Sequence, residues 1–127
     1  MSTKFRLVQG NTRPQIIVAL TDANTGEAID LSPAGTQVLL KFREVGSDVL
    51  ITTLTATLLP GFERADGSIN NAAPYDQVGR GGRCTFQLAP PTLDNEGEFE
   101  GEIQVFFNDN TDQTVYDTLK FKVRPSF

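Results

Sequence analysis

The sequence predicts an all-β fold, an antiparallel β-sandwich of about seven strands. Three observations carry that prediction. Apolar residues recur with a period of two rather than 3.6 in almost every readable segment. Strand-favouring residues are abundant, with Phe occurring 9 times and Thr spread through most of the apolar segments. The segments are short, each is bounded by Gly, Pro, Asn or Asp, and none offers an amphipathic helix of useful length.

Taken in order, Lys4-Phe5-Arg6-Leu7-Val8 alternates and then meets Gly10, which makes it a first strand running into a turn. The apolar run Gln15-Ile16-Ile17-Val18-Ala19-Leu20-Thr21 reads as a strand covered on both faces. Asp22-Ala23-Asn24-Thr25-Gly26 is turn chemistry, and Ala28-Ile29-Asp30-Leu31-Ser32 a short extended piece whose Leu31 returns to the core. Over 37–44, Val38, Leu40 and Phe42 share one face, and Gln37, Leu39, Lys41 and Arg43 the other. Gly46-Ser47-Asp48 turns the chain into 49–58, with Leu50, Thr52, Leu54, Ala56 and Leu58 on one side. Cys84, Phe86 and Leu88 mark the inner face of the next strand. Gly97–Phe107 and Thr114–Arg124 close the chain as a hairpin around Asn108-Asp109-Asn110-Thr111-Asp112-Gln113.

A chain of 127 residues has the size of one domain, and residues 1–127 are read as a single sandwich. Its exception is a long loop at 59–82, rich in Gly, Pro and Asn and poor in apolar residues. Loops of that length are functional, or await a partner that orders them.

Charge and composition narrow the chemistry. A net charge of −5 lacks the basic field that sequence-independent nucleic-acid binding requires, and gives no attraction to an anionic membrane. The apolar runs fall short of a membrane span, and the N-terminus lacks the apolar stretch of a secretory signal. With no histidine and one cysteine, the serines and Cys84 have no imidazole to activate them. Cys84, alternating with Phe86 and Leu88, is expected to fill core space. Gly79-Arg80-Gly81-Gly82-Arg83 is glycine-rich but is followed by no Lys-Ser or Lys-Thr, so a phosphate-binding loop has no support.

The row Asp94, Glu96, Glu98, Glu100 and Glu102 admits two readings, a cation or paired-carboxylate site and a solvated charge ladder. The ladder gains from the last hairpin. If Glu102 faces Lys120, Glu100 faces Lys122 and Glu98 faces Arg124, then Ile103 meets Leu119, Phe99 meets Val123 and Phe107 meets Val115. Each opposite-charge pair contributes about 0.2–1 kcal/mol. That register leaves Asp117 opposite Val105, and Lys41 and Arg43 flank the same acids if their strand lies on the other side. The loop Asn108–Asp112 begins like a calcium loop but has Gln113 and Leu119 where the motif needs glycine and an acid, so a polar turn is expected. No cofactor, metal site or catalytic residue is expected.

A succession of motifs then carries a resemblance. Phe5-x4-Gly10-Asn11-Thr12-x-Pro14 opens the chain, followed by Leu20-x-Asp22-x2-Thr25-Gly26, Ile29-Asp30-Leu31-Ser32 and Phe42-Arg43. Gly97-x-Phe99-x2-Glu102-Ile103-x-Val105-x-Phe107-Asn108-Asp109 and Val123-x-Pro125 complete it. Over nearly the whole chain, this order resembles the N-terminal immunoglobulin-like domain of tailed-bacteriophage upper baseplate proteins and related small tail proteins. The resemblance implies an immunoglobulin-like sandwich and a non-catalytic structural role in a virion assembled in the host cytoplasm. It implies partners that are copies of itself and other phage tail or capsid proteins. Baseplate members usually continue into a coiled coil and a distal adhesin-binding part, whereas this sequence stops at Phe127, which favours a stand-alone adaptor, ring or decoration subunit. The long loop and first strand are expected to supply the assembly surface, through Phe62, Arg64, Tyr75, Arg80, Phe5 and Arg6. A capsid decoration protein is the alternative within the class. A carbohydrate-binding module is the alternative outside it, although Trp is absent and Tyr75 and Tyr116 are the only tyrosines. No nucleic acid, membrane or small-molecule ligand is expected.

Overall fold

Side chains that alternate along the sequence become the two faces of a mixed β-sheet. In the computed structural model, which describes residues 4–90, 92–115 and 118–127, the elements are β1 (Lys4–Val8), β2 (Gln15–Ala19), β3 (Gln37–Glu44), β4 (Leu50–Thr55), β5 (Thr57–Leu58) and β6 (Phe62–Glu63). β7 (Ile69–Asn70), β8 (Arg83–Gln87), β9 (Gly97–Phe106), β10 (Asp112–Thr114) and β11 (Leu119–Arg124) follow. The fold is all-β. The larger sheet runs β1-β11-β9-β3-β4, with β10 extending the β11 side of β9. A three-stranded sheet runs β2-β8-β5, and β6 and β7 form a separate ribbon.

Both larger sheets supply one apolar cluster. Val38, Leu40, Phe42, Phe99, Ile103, Val105, Phe121 and Val123 enter it from the large sheet, and Ile16, Cys84 and Phe86 from the small one. Leu20, Ile29, Leu31 and Leu93 enter from the connections. This arrangement is consistent with a β-sandwich. Its centre is aromatic: the Phe42 ring lies 5.1 Å from Phe99, stacked, and 5.1 Å from Phe121, edge-on.

Several expectations change. The sheets are not purely antiparallel, because β1 runs parallel to β11, with Phe5 beside Phe121 and Leu7 beside Val123. The strand count also differs, with eleven elements among the described residues where about seven were expected. One cause is that the expected 49–58 strand is two. β4 pairs with β3, then the chain passes through Ala56, and Leu58 of β5 pairs with Cys84 in the other sheet. A register irregularity between Phe42 and Arg43 sets Arg43 against Leu50. Leu50 is thereby turned to solvent, while Ile51 packs against the core. β2 is covered on one face only: Ile16 is buried, whereas Ile17 is 57% exposed. The Thr25-Gly26 turn does close a hairpin, with a Thr21–Ala28 bridge and the Gly26 amide donating to the Asp22 carbonyl.

The 59–82 segment is packed rather than open. Glu63 pairs with Ile69 and Phe62 with Asn70 in the ribbon. The Gly61 amide donates to the Tyr75 carbonyl at 2.7 Å and the Gly79 amide to the Leu59 carbonyl at 2.9 Å. The Leu31 and Leu20 amides donate to the Gly79 and Gly82 carbonyls, which ties the segment to the core. The glycines flagged as a doubtful phosphate loop are thus close-packing positions.

Candidate functional site

Two surfaces gather the residues singled out in the sequence. The first is a groove beside the 59–82 segment, about 660 Å³, whose lining includes Thr21, Glu27, Asp30, Phe62, Glu63, Tyr75 and Arg80. β6 supplies Phe62, and the turn structure after β7 returns Tyr75 against it, ring centroids 4.9 Å apart and stacked. Arg80 reaches across to Asp30 at 3.7 Å. The other Asp30 oxygen accepts hydrogen bonds from the Ser32 amide at 2.9 Å and hydroxyl at 2.6 Å. The groove is therefore an aromatic pair rimmed by carboxylates and one guanidinium, chemistry suited to non-covalent contact.

Three of the six expected interface residues, Phe62, Tyr75 and Arg80, meet in this groove. Arg64 is on the turn of the β6–β7 ribbon, donating to the Ser68 hydroxyl at 3.1 Å. Phe5 and Arg6 belong to β1 and part company there. Phe5 is half-buried and stacks on Phe121 with centroids 5.4 Å apart, so its ring serves the margin of the core. Arg6 points to solvent.

The second surface is the outward face of the large sheet. β9 lies between β11 and β3, so cations line both of its sides and Glu100 has one on each. Across one row stand Lys4, Lys120, Glu100 and Arg43; the next holds Arg6, Lys122 and Glu98; Glu102 lies beside Lys41. The expected ladder register is corrected here. Lys120 faces Glu100 rather than Glu102, Lys122 faces Glu98 rather than Glu100, and Leu119 faces Gly101 rather than Ile103. Phe99 faces Phe121, not Val123. Arg124 lies beside Val8 and past the start of β9, so it has no Glu98 opposite it. The slip is two residues, which leaves every side chain on its expected face. Val105 is paired with Gln113, and the expected neighbour Asp117 lies outside the described residues, as does Tyr116. Asp94 and Glu96 precede β9, so the five-acid row is not one strand face.

Glu100 is the hub of this face. One oxygen accepts from Arg43 Nε at 3.2 Å and the other from Lys120 Nζ at 3.3 Å. Burial pushes its carboxyl upward, but the Lys120 hydrogen bond and charge, joined by those of Arg43, outweigh it and hold it below the ordinary 4.5. A carboxylate depressed on folding contributes stability that is complete above its unfolded value and is lost as pH falls through its folded one. Glu100→Gln should lower stability at pH 7 by up to about 1 kcal/mol, and the gap from the native chain should close below pH 4.5. Urea unfolding across that pH range measures it, and a gap that persists undiminished at the acid end would contradict the assignment.

Other candidates resolve locally. Asp109 accepts from the Thr111 hydroxyl and from its amide, at 3.0 Å for the amide, and these bonds lower its carboxyl pKa. The loop that began like a calcium motif uses this carboxylate to close a turn. Cys84 is buried, and desolvation pushes its thiol up to about 12, so at neutral pH it is a protonated core side chain. What sequence reasoning missed was Lys4, brought beside Lys120 by the parallel β1–β11 pair. The matching alternations Lys4-x-Arg6 and Lys120-x-Lys122 were its only trace. Among known proteins, no family model matches the chain and no curated protein does.

Proposed function

We propose that this chain is a non-catalytic structural protein of a bacteriophage particle, an immunoglobulin-like adaptor or ring subunit of the tail or baseplate. In this reading it acts through contacts with copies of itself and with neighbouring virion proteins, and it assembles in the host cytoplasm. The phage assignment rests on the ordered motifs described above. The observation that carries the contact role is the 59–82 segment: its backbone is tied to the core, while it brings Phe62, Tyr75 and Arg80 together at a groove of about 660 Å³. Tethering in advance reduces the ordering entropy that a partner would otherwise have to offset. Aromatic and arginine side chains are also the residues that dominate binding energy at protein interfaces. A capsid decoration subunit would use the same features.

The experiment is to express the chain with its candidate tail and capsid neighbours and to examine the products by electron microscopy and sedimentation. Incorporation into a tail or head structure that Tyr75→Ala with Phe62→Ala reduces at least about tenfold supports the proposal. A chain left out of every particle refutes it. The aromatic pair beside Asp30, Glu27 and Glu63 also favours a second reading, a carbohydrate-binding module, since stacked rings with polar rims suit sugar faces. Glycan binding lost in the same double variant, with no particle incorporation, would establish that reading instead.

A further inference from the structure

The charge of this molecule is unevenly placed. Seven of its eleven cations, Lys4, Arg6, Lys41, Arg43, Lys120, Lys122 and Arg124, occupy outward strand positions of the large sheet. Four carboxylates, Glu98, Glu100, Glu102 and Asp112, share that face. Among the described residues the face is therefore +3, in a chain whose overall charge is −5. Within the face, Lys41 and Arg43 sit beside β9 carboxylates, and the excess lies at the β1 edge, where β1 ends the sheet.

At that edge like charges are paired: Lys4 is directly beside Lys120, and Arg6 beside Lys122. Like charges at facing strand positions oppose pairing. Lys4 approaches Glu98 at 3.8 Å and Lys120 approaches Glu100 at 3.3 Å. Among the described residues, Arg6, Lys122 and Arg124 have no carboxylate within ion-pair distance. Together with Lys4 they rim a groove of about 400 Å³ floored by Leu7 and Val8.

The opposite end of the large sheet is acidic. Asp22, Glu27 and Asp109 lie on two adjoining turns and Asp112 opens β10 beside them, the two joined where Gln113 of β10 donates to Asp22 at 3.1 Å. From Glu98 to Phe106, β9 advances about 27 Å at ~3.4 Å per residue, too far for the acidic end to neutralise the basic edge of its own chain. An antiparallel two-fold contact through β1 would set Arg6 against its own copy or against Lys4 of the other copy, which charge opposes. A second copy docking head to tail satisfies both ends.

Building on the assembly role above, we propose that the acidic loop end of one copy docks on the basic β1–β11 edge of the next. The contact is heterologous, so it closes into a ring or continues as a filament according to its rotation. It names a surface distinct from the Phe62–Tyr75 groove, which stays free for other proteins.

The test is sedimentation velocity at low and high salt on three proteins. They are the native chain, Arg6→Glu with Lys122→Glu, and Glu27→Lys with Asp112→Lys; Asp109 is kept because it closes its turn. Thermal unfolding confirms that each variant folds. The native chain should self-associate at low salt and dissociate as salt screens the contact. Each variant alone should associate at least about tenfold more weakly. Mixing the two variants should restore assembly, because each then presents the charge the other lacks. Variants that assemble like the native chain overturn this contact while leaving the assembly role standing. A native chain that stays monomeric overturns it as well, and incorporation into particles then judges the assembly role separately. Binding to a labelled DNA duplex that Arg6→Glu with Lys122→Glu abolishes, without self-association, would assign the edge to polyanions and overturn the contact.

Discussion

Replacing Phe42 by alanine should remove about 3–5 kcal/mol of stability, a large share of the 5–15 kcal/mol typical of a domain. Phe42 is fully buried, and its ring touches both Phe99 and Phe121 at 5.1 Å between centroids. The cost should be near the top of the range because the site cannot collapse. Its partner across the β3–β9 ladder is Gly101, which has no side chain to move into the void. A Cβ added there would stand 2.6 Å from Leu40 Cδ1 and 3.2 Å from Phe121, so the space is already committed. Phe5→Ala, at the half-buried margin, should cost clearly less, since solvent and the free β1 edge can adjust. Urea unfolding of the two variants gives the comparison, and a Phe42→Ala loss no larger than that of Phe5→Ala would show that the aromatic centre is not the main support of the fold.

The inward and outward faces were legible in the sequence because alternation specifies them directly. β1 at 4–8 and β3 at 37–44 have the boundaries their alternation marks, and Cys84, Phe86 and Leu88 are all buried. Pairing was less legible. Shifting the last hairpin by two residues preserves both faces and still sets acids against bases, so hydrophobicity and charge could not choose between registers. No single register runs through the hairpin: β10, directly after a tight bend closed by the Phe107 amide and Thr111 carbonyl, pairs Asp112 with Phe106, whereas β11 pairs Lys120 with Glu100, a two-residue offset from it. Nor could local pattern foresee the parallel β1–β11 pair, because no turn links those strands. The apolar run at 15–21 misled for the opposite reason, since an uncovered outer Ile17 looks in sequence like a buried one. Of the candidate site, residue types were readable, but the convergence of Phe62 with Tyr75 depended on how a glycine-rich segment packs, which composition does not encode.

That packing sets up the second large effect, Gly81→Ala. A Cβ at Gly81 would lie 2.2 Å from the Gly61 carbonyl oxygen and 2.9 Å from Phe62 Cα, both backbone atoms that no rotamer change can move aside. Overpacking of this kind costs about 3 kcal/mol when the backbone has to yield. The backbone that yields is that of the 59–82 segment, so the hydrogen bonds Gly61–Tyr75 and Gly79–Leu59 should break before the β3–β9 ladder does. Hydrogen exchange should show the Gly61 and Gly79 amides losing protection in Gly81→Ala while the amides of β3 and β9 keep theirs, and proteases should cut within 62–78. Gly67→Ala supplies the contrast. Gly67 has a φ of +86° but nothing within 4 Å of an added Cβ, so its cost is conformational alone, about 1 kcal/mol, and confined to the ribbon turn. If Gly81→Ala proves as mild as Gly67→Ala, the segment is not clamped at Gly61, and the tethering that supports a contact role for Phe62 and Tyr75 is lost.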